Sequence, residues 1–183
     1  MLYAAEDNEI SHIIYFSLKT LGMDANLNWI DTSNVKIMCF LFEDSQFNGD
    51  ISKWNVSNVI DMSYMFMDSL FNGDISNWDV SSVKDMSYMF NGSKFNNDIS
   101  SWDVSKVQDM NNMFAISQFN GDISKWDVSS VTDMASMFEH SVFNGDISGW
   151  DVSNVERMGW MFASSQFNRD ISNWNIPGVS LDV

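Results

Sequence analysis

The sequence is poor in the residues that usually cross-link a chain or hold it to nucleic acid. It has one cysteine, Cys39, so no disulfide can form within the chain. Lys plus Arg number 9 against 25 acids, for a formal charge of −16. Such a surface repels phosphate backbones and anionic lipid, so nucleic acid and membrane surfaces are poor partners and cationic ones are favoured. No apolar run reaches the roughly 18 residues needed to span a bilayer, so membrane insertion is not expected. The opening "MLYAAEDNEI" is acidic where a signal peptide would be basic. The two histidines, His12 and His140, have no repeated partner. There is no Gly-rich phosphate loop, zinc spacing or Ser-His-Asp arrangement, so neither catalysis nor a cofactor is expected.

What is present is repetition. Phe47, Phe71, Phe95, Phe119, Phe143 and Phe167 are 24 residues apart, and Trp54, Trp78, Trp102, Trp126, Trp150 and Trp174 keep the same spacing. A weaker copy precedes them, with Leu27, Ile30, Val35, Met38, Leu41 and Phe42 in register with Ile51, Trp54, Val59, Met62, Met65 and Phe66. The repeats are 23–46, 47–70, 71–94, 95–118, 119–142 and 143–166, with a partial one at 167–183. A regular period of this length points to a solenoid in which each coil touches only its neighbours.

Each repeat changes character along its length. In 119–142, Ile123, Trp126, Val128 and Val131 have the spacing L-x-x-L-x-L-x-x-L. Trp126 and Val128 flank Asp127, the period of a strand with one buried face. Met134, Met137 and Phe138 then follow at i, i+3 and i+4, one face of a short helix or 3₁₀ turn, with Ser129 and Ser130 as N-cap candidates. "FNGD" supplies the turn to the next coil. Phe, Ile, Trp, Val, Val, Met, Met and Phe are therefore the inward residues. The Met and aromatic stripe reads as core rather than as a cofactor box.

The recurring "FNGDIS-W-VS-V" and "DMS-MF--S", with "NLNWIDTSNV" at 26–35, resemble the BspA-like leucine-rich-repeat surface proteins of bacteria. The resemblance covers about residues 20–183. It implies an α/β fold: a right-handed leucine-rich-repeat-like solenoid with one short parallel strand and a short helix or turn per coil. It also implies a cell-surface or secreted protein, associated with adhesion to a host or other extracellular protein.

The ends depart from the repeat. Residues 7–22 read as a capping helix, with Asp7 or Asn8 at its start, an apolar stripe of Ile10, Ile13, Ile14, Leu18 and Leu21, and Gly22 at its stop. The solenoid domain is then 23–183, after a cap at 1–22. At the far end Ile176-Pro177 replaces the usual Val-Ser and no amphipathic cap follows, which leaves self-association through that end open.

The acids form three rows. Asp50, Asp74, Asp98, Asp122, Asp146 and Asp170 lie in the turn, where local backbone N–H groups can hold them. Asp61, Asp85, Asp109 and Asp133 precede the helical stretch as N-terminal charges, a series that Ile37 and Arg157 interrupt. Asp31, Asn55, Asp79, Asp103, Asp127, Asp151 and Asn175 lie mid-strand and face out, with no evident local donor. This last row reads as a solvated face, a protein-binding face or a divalent-cation row. Beside it, Trp29, Lys53, Asn77, Ser101, Lys125, Gly149 and Asn173 vary while the frame repeats. The candidate contact residues for a partner protein are Asp31, Asp79, Asp103, Asp127, Asp151, Trp29, Lys53 and Lys125. The expected function is that of a non-enzymatic adhesion or protein-binding module presenting a concave strand face. The alternatives are an architectural spacer and a cation-binding solenoid.

Overall fold

The inward residues stack coil upon coil. The structure, a computed structural model, describes residues 3–176. In the coil 119–142, Phe119, Ile123, Trp126, Val128, Val131, Met134, Met137 and Phe138 are all buried, and the corresponding residues of 47–70, 71–94 and 95–118 are buried with them. Like rings lie on like rings. Phe66, Phe90, Phe114 and Phe138 follow one another at centroid separations of 5.6, 5.7 and 5.8 Å, almost parallel. Trp102 and Trp126 are 6.5 Å apart. Parallel-displaced rings at this distance gain stacking energy beyond plain area burial. One coil has no second layer of its own, so its apolar side chains are covered only by its neighbours. The chain is thus a repeat solenoid built on a periodic aromatic ladder.

The backbone that joins the coils is not where the alternation of Trp and Val suggests. Trp126–Val128 is unpaired with neighbouring coils. Trp126 N–H turns back to the Ile123 carbonyl at 3.1 Å, and Val131 N–H to Val128 at 2.9 Å. This segment is a series of tight turns that buries alternate residues without strand pairing. Parallel bridges run instead along Asp61, Asp85, Asp109 and Asp133.

Of the short helix or 3₁₀ turn expected over Met134–Phe138, the structure shows turns, the first from Met134 to Met137 and the next from Phe138 to Ser141. Met137 N–H reaches the Met134 carbonyl and Ser141 N–H the Phe138 carbonyl, both at 3.2 Å. The third residues of these turns, Ser136 and His140, have φ of 55° and 53°, the left-handed backbone of a type II turn. A helix would use its N–H groups within the coil. Here Met134, Ser136, Phe138 and His140 donate to Arg157, Gly159, Met161 and Ala163 of the next coil at 2.8–2.9 Å. We call this bonded segment, from residue 61 to 70 and its equivalents, the Met arm. Indole groups add a second clamp, since Trp126 Nε1–H donates to the Ile99 carbonyl of the preceding coil at 3.1 Å. The asparagines bridge as well, with Asn120 N–H on Asn96 Oδ1 at 2.8 Å.

At the N-terminus, β1 (Tyr3–Ala4) and β2 (Ile30–Asp31) pair in parallel, with α1 (Ile10–Leu21) between them. Ile10 and Ile14 are buried against the first coil, whereas Leu21 of the expected stripe is exposed. Gly22 closes α1 at φ 89°, its N–H on the Leu18 carbonyl at 3.0 Å. Asp7 does not cap α1; the N-cap position is Glu9, without a side-chain bond. The Asp7 carboxylate instead accepts from Lys36 N–H and Ile37 N–H at 2.6 and 3.0 Å. One coil further on, Ile60 and Asp61 donate to the Lys36 carbonyl at 2.9 and 3.4 Å. Asp7 therefore stands in for the carbonyl of a coil that is not there. The expected role of Pro177 falls outside the described residues. None of the described helices is long and apolar enough to cross a membrane.

Candidate binding face

Each coil carries Asp-x-Ser or Asn-x-Ser at its corners, and the structure shows why. Ser52 donates its N–H and hydroxyl to Asp50 Oδ1 at 3.0 and 2.7 Å. Ser57 does the same to Asn55 at 3.1 and 2.8 Å, and Ser63 to Asp61 at 2.9 and 2.7 Å. These are Asx turns, in which a short side chain accepts from the backbone two residues on. Three such turns stand in each of the coils 47–70, 71–94, 95–118 and 119–142, whereas the coils 23–46 and 143–166 lack the third, at Ile37 and Arg157. The Asp61-type row therefore holds a turn rather than a helix start.

The candidate partner-binding acids belong to the middle corner. Asp79, Asp103, Asp127 and Asp151 are exposed, and Asp31 is half-buried. The absence of a local donor expected for this row is corrected by the serine two residues on. Ser81 and Ser153 N–H donate to Asp79 and Asp151 at 3.1 Å. Ser105 and Ser129 add hydroxyl bonds of 2.6 Å to Asp103 and Asp127. The hydroxyl and then the N–H of the serine hold Asp103 and Asp151 below the ordinary carboxylate range. For Asp31, the N–H of Ser33 is the first cause and its hydroxyl the second. One oxygen of each carboxylate is thus committed within the chain, and the other faces solvent. Among the described residues no group of three or more His, Cys, Asp or Glu converges on a point.

Lys53 and Lys125 are exposed beside this row. Trp29 is 37% exposed and lines a groove of about 610 Å³ along α1 with His12, Ile13, Phe16 and Leu21. The structure thus places Trp29 with the cap, Asp31 in β2, and Asp79, Asp103, Asp127 and Asp151 on a corner that is not a strand face.

Residues that the sequence did not single out lie on the Met arm. Phe40, Tyr64 and Tyr88 stack at 4.7 and 4.6 Å on the surface. Asp109, partly buried in the next coil, is raised above the ordinary carboxylate range by loss of solvent, against the Asn111 bonds. Arg157 closes the acid series by binding Asp133, with Nε at 2.8 Å and Nη2 at 2.6 Å.

A family model described as "Mycoplasma protein of unknown function, DUF285" matches residues 14–118 and again residues 91–181. The two matches overlap, as interchangeable repeats allow. No curated protein and no solved structure matches the chain.

Proposed function

We propose, from the premise that this chain belongs to the DUF285 family, that it is a non-enzymatic protein-binding module of the BspA-like leucine-rich-repeat kind. In this reading it is displayed at a cell surface or secreted, and it engages a basic extracellular or host protein. The contact row is Asp79, Asp103, Asp127 and Asp151, with Asp31, Lys53, Lys125 and Trp29 setting selectivity. One observation carries the reading. Buried and hydrogen-bonded positions repeat from coil to coil, whereas the exposed row Trp29, Lys53, Asn77, Ser101, Lys125, Gly149 and Asn173 does not. Repeat proteins commonly keep the frame uniform and vary the surface that recognises a partner.

The free carboxylate oxygens of this row suit lysine and arginine side chains of a partner. The test is capture of extracellular host proteins by the wild type and by a quadruple variant with Asn at 79, 103, 127 and 151. Asparagine still accepts from serine, as Asn55 does, so the corners should hold while the charge is removed. Loss of a captured basic protein in the variant supports the reading. Equal capture by both moves the contact off the acid row, and capture by neither leaves only the spacer. A calcium-dependent rise in melting temperature confined to the wild type would replace the reading with a cation-binding one.

A further inference from the structure

Away from the N-terminal cap, the exposed large apolar side chains among the described residues are Phe40, Ile60, Leu70, Ile116 and Trp160, at 40–61% exposure. All five belong to the Met arm or its immediate flanks. Beyond the first coil, where Trp29 lies against the cap, the middle corner with its acid row has none. We propose that this flank is a self-association surface: a second copy of the chain lies alongside it, with the two solenoid axes parallel.

The ridge of this flank is not required by the frame. Phe40, Tyr64, Tyr88 and Trp160 occupy left-handed backbone at φ 57–62°, which bulky side chains disfavour. Asn112 fills the equivalent place at φ 55°, as a residue tolerant of that conformation should. Aromatic side chains placed there despite the backbone, and left partly in solvent, fit a surface that packs against something.

The charges on either side of the ridge indicate what that something is. Lys36 and Lys84 precede the ridge in their coils, while Glu43, Asp44 and Asp68 follow it; Glu156 on the first side and Lys94 on the second are the exceptions, and all seven are exposed. The ion pairs among the described residues are Arg157–Asp133 and His140–Glu139, so these lysines are unpaired within the chain. A twofold axis parallel to the solenoid lays ridge on ridge, with Phe40 on Phe40 and Trp160 on Trp160. It also exchanges the rims, so that Lys36 of one copy faces Glu43 and Asp44 of the other. An axis across the solenoid would oppose lysine to lysine. The patch is self-complementary in the one arrangement, as an isologous dimer requires. Net charge opposes association at long range, so the dimer should strengthen as salt rises to physiological strength, where screening acts beyond about 8 Å.

Sedimentation equilibrium of the full chain over a concentration series tests this. The expected result is a monomer–dimer equilibrium that the double change Phe40→Asn and Trp160→Asn weakens about tenfold or more, the scale of a hot-spot pair. The unfolding midpoint should stay unchanged or rise, because Asn suits the left-handed backbone. Lys36→Glu alone and Asp44→Lys alone should each weaken the dimer, and the two together should restore it. A wild type that remains monomeric throughout, a dimer indifferent to the Asn changes, or a charge exchange that fails to restore association would overturn the proposal.

Discussion

Trp126→Phe isolates the clamp between coils. The indole is 3% exposed. Its Nε1–H reaches the Ile99 carbonyl at 3.1 Å, and its ring lies 6.5 Å from Trp102 and 6.3 Å from Phe114. Phenylalanine keeps an aromatic ring in the stack and removes the donor. The Ile99 carbonyl is not orphaned, because it also accepts Trp102 N–H at 3.2 Å. The cost is therefore the net worth of an ordinary hydrogen bond, about 0.5–1.5 kcal/mol, and not the larger cost of a buried unpaired acceptor. The smaller ring leaves unfilled volume worth roughly 1–2 kcal/mol. The total, about 1.5–3.5 kcal/mol, should lower the melting temperature by about 3–14 °C in a domain of this size. Urea unfolding, read by far-UV circular dichroism, should show a lower midpoint with an unchanged slope. Trp174→Phe removes the same 3.1 Å bond, to Ile147, but in the last described coil, and should cost less. A loss under about 0.5 kcal/mol at Trp126, below the range of an ordinary hydrogen bond, would refute the view that the indole ladder couples the coils. Equal losses at the two tryptophans would show that position in the stack does not matter.

Asp7→Ala should destabilise the first coil by about 1–2 kcal/mol, since two backbone donors lose a charged acceptor; Asp7→Asn should keep most of that, and amide exchange at Lys36 and Ile37 reads the difference. Stability should also depend on pH in two opposed ways. Asp50, Asp74, Asp98, Asp122 and Asp170 are held low first by the N–H of the serine two residues on, with the Asn28 side chain second at Asp50 and the serine hydroxyl second at the others, and Asp146 first by the Ser148 hydroxyl and then by its N–H. Their contribution is present above the unfolded value of about 3.9 and is lost as pH falls through the lower folded values. Asp109 is raised by burial, so its contribution is present below that value and is lost as pH rises through its folded pKa. Urea midpoints should therefore rise slightly on mild acidification and then fall steeply in strong acid; a steady fall from neutral pH, or no acid loss at all, would contradict the Asx assignment. Gly49→Ala should be far worse than Gly121→Ala in thermal unfolding, because a Cβ at 49 would lie 2.0 Å from the Ala25 carbonyl oxygen, whereas at 121 it meets the Phe119 ring at 2.9 Å.

The period and the inward residues could be read from the sequence because each is a matter of spacing and polarity. The strand and the helix could not. Buried–exposed alternation at Trp126–Val128 is equally the product of successive turns, and periodicity does not distinguish the two. The i, i+3, i+4 pattern of Met134, Met137 and Phe138 is also that of two consecutive turns. The signal that would have separated them is glycine at the left-handed places, and of these only Gly92 is glycine, at φ 65°. Tyr64, Ser136 and Trp160 hide the turns behind ordinary side chains. The signal for the corners was present, as Asp or Asn followed two residues later by Ser in almost every coil. It points to local carboxylate acceptors, and so to turns.

Once the serines are assigned, the −16 charge needs no ligand to explain its placement. Each acid of the turn and middle rows has a donor two residues away, so repetition of acids follows from repetition of corners. A feature shared by every coil then carries fold, and recognition must be sought where coils differ. Two such places stand out: the variable row beside Asp79–Asp151, and the aromatic ridge that is Phe40, Tyr64 and Tyr88 in the first coils but Asn112 and Ser136 later. They lie on different flanks of the same frame. The two can therefore be separated experimentally, because replacing the middle-row acids leaves the ridge untouched, and replacing Phe40 and Trp160 leaves every Asx corner in place.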